Sequence, residues 1–127
     1  ASLEWALNSA VEQVSSKSEI KHKFVCEENL EEHISLTRAE QIQIYRIAQE
    51  VLSNIVRHAT ATEIELAAGK RSDKFVLEIK DNGKAFDPDK VKKGRGLSNI
   101  DARAKLIEAE TKWKKREDSG MHFILRK

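Results

Sequence analysis

Glu50, Asn54 and Arg57 follow one another at helical spacing within the run Arg46-Ile47-Ala48-Gln49-Glu50-Val51-Leu52-Ser53-Asn54-Ile55-Val56-Arg57-His58-Ala59. An Asn carbonyl oxygen is a hard ligand suited to Mg²⁺. A neighbouring carboxylate can polarise a water or hold one in the metal's shell, and a guanidinium can neutralise a phosphate. Further on, Leu77-Glu78-Ile79-Lys80-Asp81-Asn82-Gly83 ends an apolar strand in an acidic turn. An Asp there can accept a hydrogen bond from an exocyclic amine such as adenine N6, and Gly83 lets the backbone approach a flat ring. Gly94-Arg95-Gly96-Leu97 stands where a loop enters a helix, a place where backbone amides favour phosphate. Jointly these are the chemistries that an adenine nucleotide with its magnesium ion needs. Each piece also has a plainer reading: a solvated helix face, a common Asp-Asn-Gly turn, and an isolated Gly-x-Gly. His58 by itself reads as a packed or hydrogen-bonded helix-end histidine.

The elements that must position these groups follow from periodicity. Leu3, Ala6, Leu7, Ala10, Val11 and Val14 mark an amphipathic helix ending near Ser15-Ser16-Lys17, and Ile20 to Val25 alternates as a strand. The acidic stretch Glu27-Glu28-Asn29-Leu30-Glu31-Glu32 reads as a solvated loop. Thr37-Arg38-Ala39-Glu40 is a capping box that opens a helix running to about His58. On that helix Tyr45, Ala48, Leu52, Ile55 and Ala59 share one face, while Gln43, Arg46, Glu50, Asn54 and Arg57 share the opposite one. Strands follow at Glu63 to Ala68 and Lys74 to Lys80, joined by a turn near Gly69 to Asp73. After the Gly-, Asp- and Lys-rich segment from Asp81 to Arg95, a helix spans Gly96 to Glu108, burying Leu97, Ile100, Ala104 and Ile107. A hairpin from Thr111 to Arg116 and Met121 to Leu125 closes the chain. This order predicts an α+β fold with helices packed on one face of a mixed sheet.

The bulk numbers exclude several function classes. The 127 residues make one domain with room for a core. With 39% apolar and 35% charged residues, the composition is that of an ordinary globular protein. No apolar run approaches the roughly 20 residues of a membrane span, and no signal peptide is visible. A net charge of +2 gives no support to nucleic-acid binding. Lys90, Lys92, Lys93 and Arg95 cluster late, as do Lys112, Lys114, Lys115 and Arg116; the second cluster reads as the wet face of a strand. Cys26 is alone, so no disulfide framework exists, and a reducing compartment fits. The four histidines and Cys26 lack metal-site spacing. There is no P-loop and no nucleophile elbow. The start at Ala1 suggests a piece of a longer protein.

In order and together, these segments resemble the GHKL ATPase superfamily, and most of all the ATP-binding domain of sensor histidine kinases of the nitrate-response branch. Gln49 to Ala59, followed by Thr60-Ala61-Thr62, is similar to the N box. Asp81-Asn82-Gly83-Lys84-Ala85-Phe86-Asp87-Pro88 resembles the first glycine box. Gly94-Arg95-Gly96-Leu97-Ser98-Asn99-Ile100-Asp101-Ala102-Arg103 resembles the second. The resemblance implies a GHKL-type two-layer α/β sandwich with a mixed, mostly antiparallel sheet. It implies ATP and Mg²⁺ as cofactors, with Asn54 and Glu50 as metal and catalytic positions. Asn54, Arg57, His58, Asp81, Gly83, Lys84, Gly94, Arg95, Gly96 and Leu97 are then the nucleotide-binding positions, with residues 84–95 as the ATP lid. Ala85 replaces a usual glycine, and Gly120-Met121 replaces a usual Gly-Thr, removing a hydroxyl that often serves the adenine through water.

The activity so implied is transfer of the ATP γ-phosphoryl to a His on a separate, upstream dimerisation domain. None of His22, His33, His58 and His122 has the acceptor's setting, so residues 1–127 are expected to be one catalytic domain, inactive without its acceptor. Its further partner would be a helix-turn-helix response regulator. No nucleic acid and no direct membrane contact are expected, and the setting would be cytoplasmic, as a free protein or as part of a membrane-anchored sensor. Two other readings stay open: a self-sufficient ATP hydrolase with Glu50 as base, and a degenerate module that keeps the fold as a docking surface.

Overall fold

The computed structural model describes residues 2–91 and 96–127. Its elements are α1 (Leu3–Ser18), β1 (Lys21–Cys26), α2 (Leu30–His33), α3 (Arg38–Asn54), β2 (Glu63–Arg71), β3 (Lys74–Asp81), α4 (Leu97–Leu106), β4 (Glu110–Lys115) and β5 (Met121–Arg126). The strands form one five-stranded sheet in the order β1-β2-β3-β5-β4. Only β1 and β2 run parallel; the other pairs are antiparallel. The expected α+β sandwich is what the chain forms.

The core lies between the helices and one sheet face. Leu7, Val11, Ile44, Ile47, Ala48, Val51 and Leu52 come from α1 and α3, and Ile64, Leu66, Leu77, Ile79, Phe123 and Leu125 from the strands; all are buried. The alternation in β2, β3 and β5 sends every second side chain to this core. Trp113 packs between Phe86 and Phe123, with ring centroids 5.2 and 4.8 Å away. These tilted contacts anchor the segment after Asp81 to the β4–β5 hairpin.

Three local expectations are corrected. The acidic stretch is not all loop: α2 forms there because Leu30 is 1% exposed and pulls the backbone against the core. The turn between β2 and β3 is tighter than expected. Ser72 and Asp73 both adopt positive φ, 51° and 64°, the geometry of a two-residue hairpin turn. Gly69 therefore lies within β2. The helix opened by the capping box changes character after Asn54, where Ile55–Ala59 form a π turn.

Candidate functional site

The site is built where α3 ends. The capping box forms as expected at its start, with Glu40 N–H donating to Thr37 Oγ1 (3.1 Å) and Thr37 N–H to Glu40 Oε1 (2.8 Å). At its other end the π turn closes on Thr60, which has positive φ. The Ala59 carbonyl then accepts the N–H of Lys84 at 2.7 Å. That bond carries the acidic turn after β3 directly onto the helix end.

Gly83 makes this approach possible. A Cβ on it would stand 2.2 Å from the Ala59 carbonyl oxygen, closer than atoms can come. Asn82 fixes the turn from the other side: its Oδ1 accepts from the N–H groups of Thr62 and Glu63, both at 2.9 Å, and its Nδ2 donates to Thr62 Oγ1 at 2.8 Å. Asn82 is thus a brace that fixes the turn between Asp81 and Gly83.

Asp81 is 3% exposed, on the core side of β3. Burial pushes its carboxyl above the usual range. The N–H groups of Gly83 (2.8 Å) and Met121, with the charge of Arg116, pull it partly back. Gly120 has φ +83°, and a Cβ there would meet the Asp81 carbonyl oxygen at 2.0 Å. Arg116 donates to that carbonyl at 2.7 Å, and Ser119 to the Asn82 carbonyl at 2.9 Å. The β4–β5 turn therefore supports the acidic turn. Arg116, Ser119 and the Met121 N–H were missed as site-supporting groups by sequence reasoning, and Gly120 was the one signal that could have revealed them.

Asn54 was expected on a polar stripe, yet it is 2% exposed. Its Oδ1 is buried with no hydrogen-bond partner among the described residues. An orphaned buried acceptor costs about 1–3 kcal/mol, and a hard cation would satisfy it. Glu50 is half-buried, and the N-terminus of α4 comes to it: a Cβ on Gly96 would lie 2.7 Å from Glu50 Oε2. Gly96 takes φ +67° and leaves the first amides of α4 without a side-chain cap, so the positive end of the helix dipole faces that carboxylate.

The remaining expected positions divide. Arg57 and His58 are exposed on the π turn, and Lys84 is exposed beside it. Leu97 is buried, and its side chain packs in the core. Arg103 donates to Gln43 Oε1 at 3.0 Å, tying α4 to α3. Ala85 is exposed, and Met121 sends its side chain to the core. Gly94 and Arg95 lie outside the described residues. The structure thus brings Asp81, Gly83 and Lys84 to the end of α3 and Gly96 to Glu50. The first lies against the π turn that follows Asn54, the second against Glu50 one turn before it.

Comparison with known proteins bears on this arrangement. Residues 39–127 match the family described as histidine kinase-, DNA gyrase B-, and HSP90-like ATPase. The sensor protein VraS of Staphylococcus saprophyticus is 35% identical over 79 residues, covering 61% of this chain and 23% of that protein. The signal transduction histidine-protein kinase/phosphatase DegS of Brevibacillus brevis is 30% identical over 86 residues, 67% of this chain and 22% of that protein. The chain therefore spans about a quarter or less of the curated relatives it matches. Among solved structures, the histidine kinase domain of a blue-light activated histidine kinase from Erythrobacter litoralis superposes with a TM-score of 0.78 at 17% identity. It covers 98% of this chain and 59% of that one.

Proposed function

The chain belongs to the histidine kinase-, DNA gyrase B- and HSP90-like ATPase family, and from that premise we propose that it is the ATP- and Mg²⁺-binding catalytic domain of a two-component sensor histidine kinase. The observation that carries the reading is the buried Oδ1 of Asn54, without a partner among the described residues, one turn beyond Glu50 on the same helix. A hard divalent cation fits that oxygen, and the amine of an adenine ring fits the buried carboxylate of Asp81.

In this reading Asn54 holds the metal, and Glu50 orders water in its shell. Asp81 accepts from the exocyclic amine, while Gly83 and Gly120 allow the close backbone approaches that hold its turn in place. Arg57, His58 and Lys84 stand exposed for phosphate, and the Gly94-Arg95-Gly96 motif is assigned to phosphate binding in the same reading. Bound ATP supplies the phosphoryl group, and the chain's part is positioning and charge neutralisation. The acceptor is a His on a separate dimerisation domain, whose own acidic neighbour acts as base. Residues 1–127 form one catalytic unit. Placement in the nitrate-response branch, a helix-turn-helix response regulator as downstream partner, and a cytoplasmic setting belong to the same proposal. Among the described residues no helix is long and apolar enough to cross a membrane.

Calorimetry with Mg-ATP tests it. Binding should be lost in Asp81→Asn and weakened about tenfold or more in Asn54→Ala. Unchanged affinity in both variants would sink the assignment. Steady ATP turnover by the chain alone, abolished in Glu50→Gln, would replace it with a self-sufficient hydrolase.

A further inference from the structure

Both edges of the sheet carry lysines, and the two edges differ in what stands across from them. On β1, Lys21 and Lys23 stand directly opposite Glu63 and Glu65 of β2. On β4, Lys112 and Lys114 stand opposite Ile124 and His122. Neither forms an ion pair among the described residues. Both are exposed, and they alternate with half-buried Trp113, so they share the sheet face turned away from the helices.

On that face lies a concavity of about 420 Å³, with Lys112, Lys114, Arg126 and Arg71 at its sides and Val76 and Ile124 among its lining. Arg71 is already engaged by Glu78, and Arg126 stands opposite Glu110. Glu110 also lines the concavity, across from Arg126, so Lys112 and Lys114 are the cations of β4 there with no acid directly opposite. Their strand is the end of the sheet: among the described residues β4 pairs only with β5, which leaves its outer backbone edge open.

We propose that the β4 edge is a docking surface for an extended acidic peptide segment of a partner protein, with carboxylates at alternate positions and apolar residues between them. Added as a sixth strand, such a segment places its acids across from Lys112 and Lys114. Directly opposed side chains in neighbouring strands stand about 5 Å apart at Cβ. The intervening residues fall on the other face, beside Trp113 and Thr111. The same lysines repel a second copy of β4, so the edge rejects self-pairing while admitting an acidic strand. This surface shares no residue with the Asn54 and Asp81 site, and its test is independent of nucleotide.

The test is fluorescence anisotropy of a labelled peptide of alternating Asp and Val, titrated with the 127-residue chain. Binding should be saturable, and should fall as salt rises toward about 0.5 M. It should weaken about tenfold or more in the double variant Lys112→Glu/Lys114→Glu. It should be unchanged in Lys21→Glu/Lys23→Glu at the opposite edge. A peptide of alternating Lys and Val should bind the first variant and not the wild type, which excludes unfolding as the cause of the loss. No binding at millimolar peptide, or equal weakening by both double variants, would overturn the proposal. Tripolyphosphate binding at the same affinity with the same lysine dependence would also overturn it, in favour of a small anion.

Discussion

Asp81 shows how a position proposed to bind a ligand also carries a cost. Its carboxyl is raised chiefly by burial, and the N–H groups of Gly83 and Met121 and the charge of Arg116 only partly offset that. A raised folded-state value means that this group's contribution to stability is full below the ordinary carboxylate range. It is lost as pH rises through the folded value. Ionising the buried Asp81 therefore costs the free chain stability, and an amine donor would relieve that cost. Gly83 is the neighbour that this arrangement tolerates least changing. Gly83→Ala should cost about 2–4 kcal/mol in denaturant unfolding, because the Ala59 carbonyl stands where the methyl must go. Gly69→Ala is the matched control: its Cβ meets nothing closer than 3.6 Å, so a loss of stability beyond about 0.5 kcal/mol there would contradict the steric account. Cys26 behaves as a structural thiol. Burial first, then Glu4 and its acidic neighbours, raise its pKa to about 11, which keeps it protonated and unreactive.

At the scale of elements, α3 decides the geometry of the site from both ends. Its start is local chemistry, written in Thr37 and Glu40 and reinforced by Lys127, whose Nζ lies 2.9 Å from Glu40 Oε2. Thr37→Ala should lower stability by about 1 kcal/mol, read as a drop in the thermal midpoint. An unchanged midpoint would show that packing alone fixes that end. The far end was not readable as a π turn, since Ile55-Val56-Arg57-His58-Ala59 has unremarkable helix propensity. Its widened turn coincides with contacts from a distant segment, namely the Lys84 N–H on the Ala59 carbonyl and the close approach of Gly83. Such turns recur at functional sites. The same distinction explains α2, where one apolar residue, Leu30, finds a core that the acidic composition around it conceals.

At the scale of the molecule, the sheet face away from the helices is not simply wet. Val76 and Glu78 are buried there, at 4% and 7% exposure. Glu78 is bound by Arg71 and by His122 Nε2, the latter at 2.6 Å. Burial pushes the Glu78 carboxyl up, but the His122 hydrogen bond and the Arg71 charge together outweigh it and hold the group below its ordinary value. The resulting stabilisation is present above the ordinary carboxylate range and is lost as pH falls through the lowered value. Glu78→Gln should therefore cost about 1–2 kcal/mol at neutral pH, discounted because Arg71 stays largely solvated. The difference from wild type should vanish in acid. A penalty that persists at low pH would assign the effect to packing and not to charge.

The sequence by itself determined the elements whose signal is periodic or local. The alternation of Ile64, Leu66 and Ala68 and of Phe75, Leu77 and Ile79 fixed the central strands. Thr37 and Glu40 fixed a helix start, and the ordered motifs fixed the family. The sequence also marked Asn54 and Asp81 as polar groups worth attention, because their residue types and spacing are themselves chemical. Only the tertiary structure decided that both are buried, that Asn54 Oδ1 lacks a partner among the described residues, and that Asn82 is a brace. It alone turned Arg116 and the Met121 N–H toward Asp81. The reason is physical: burial and hydrogen-bond pairing depend on which distant segments pack over a residue, and no local pattern records that.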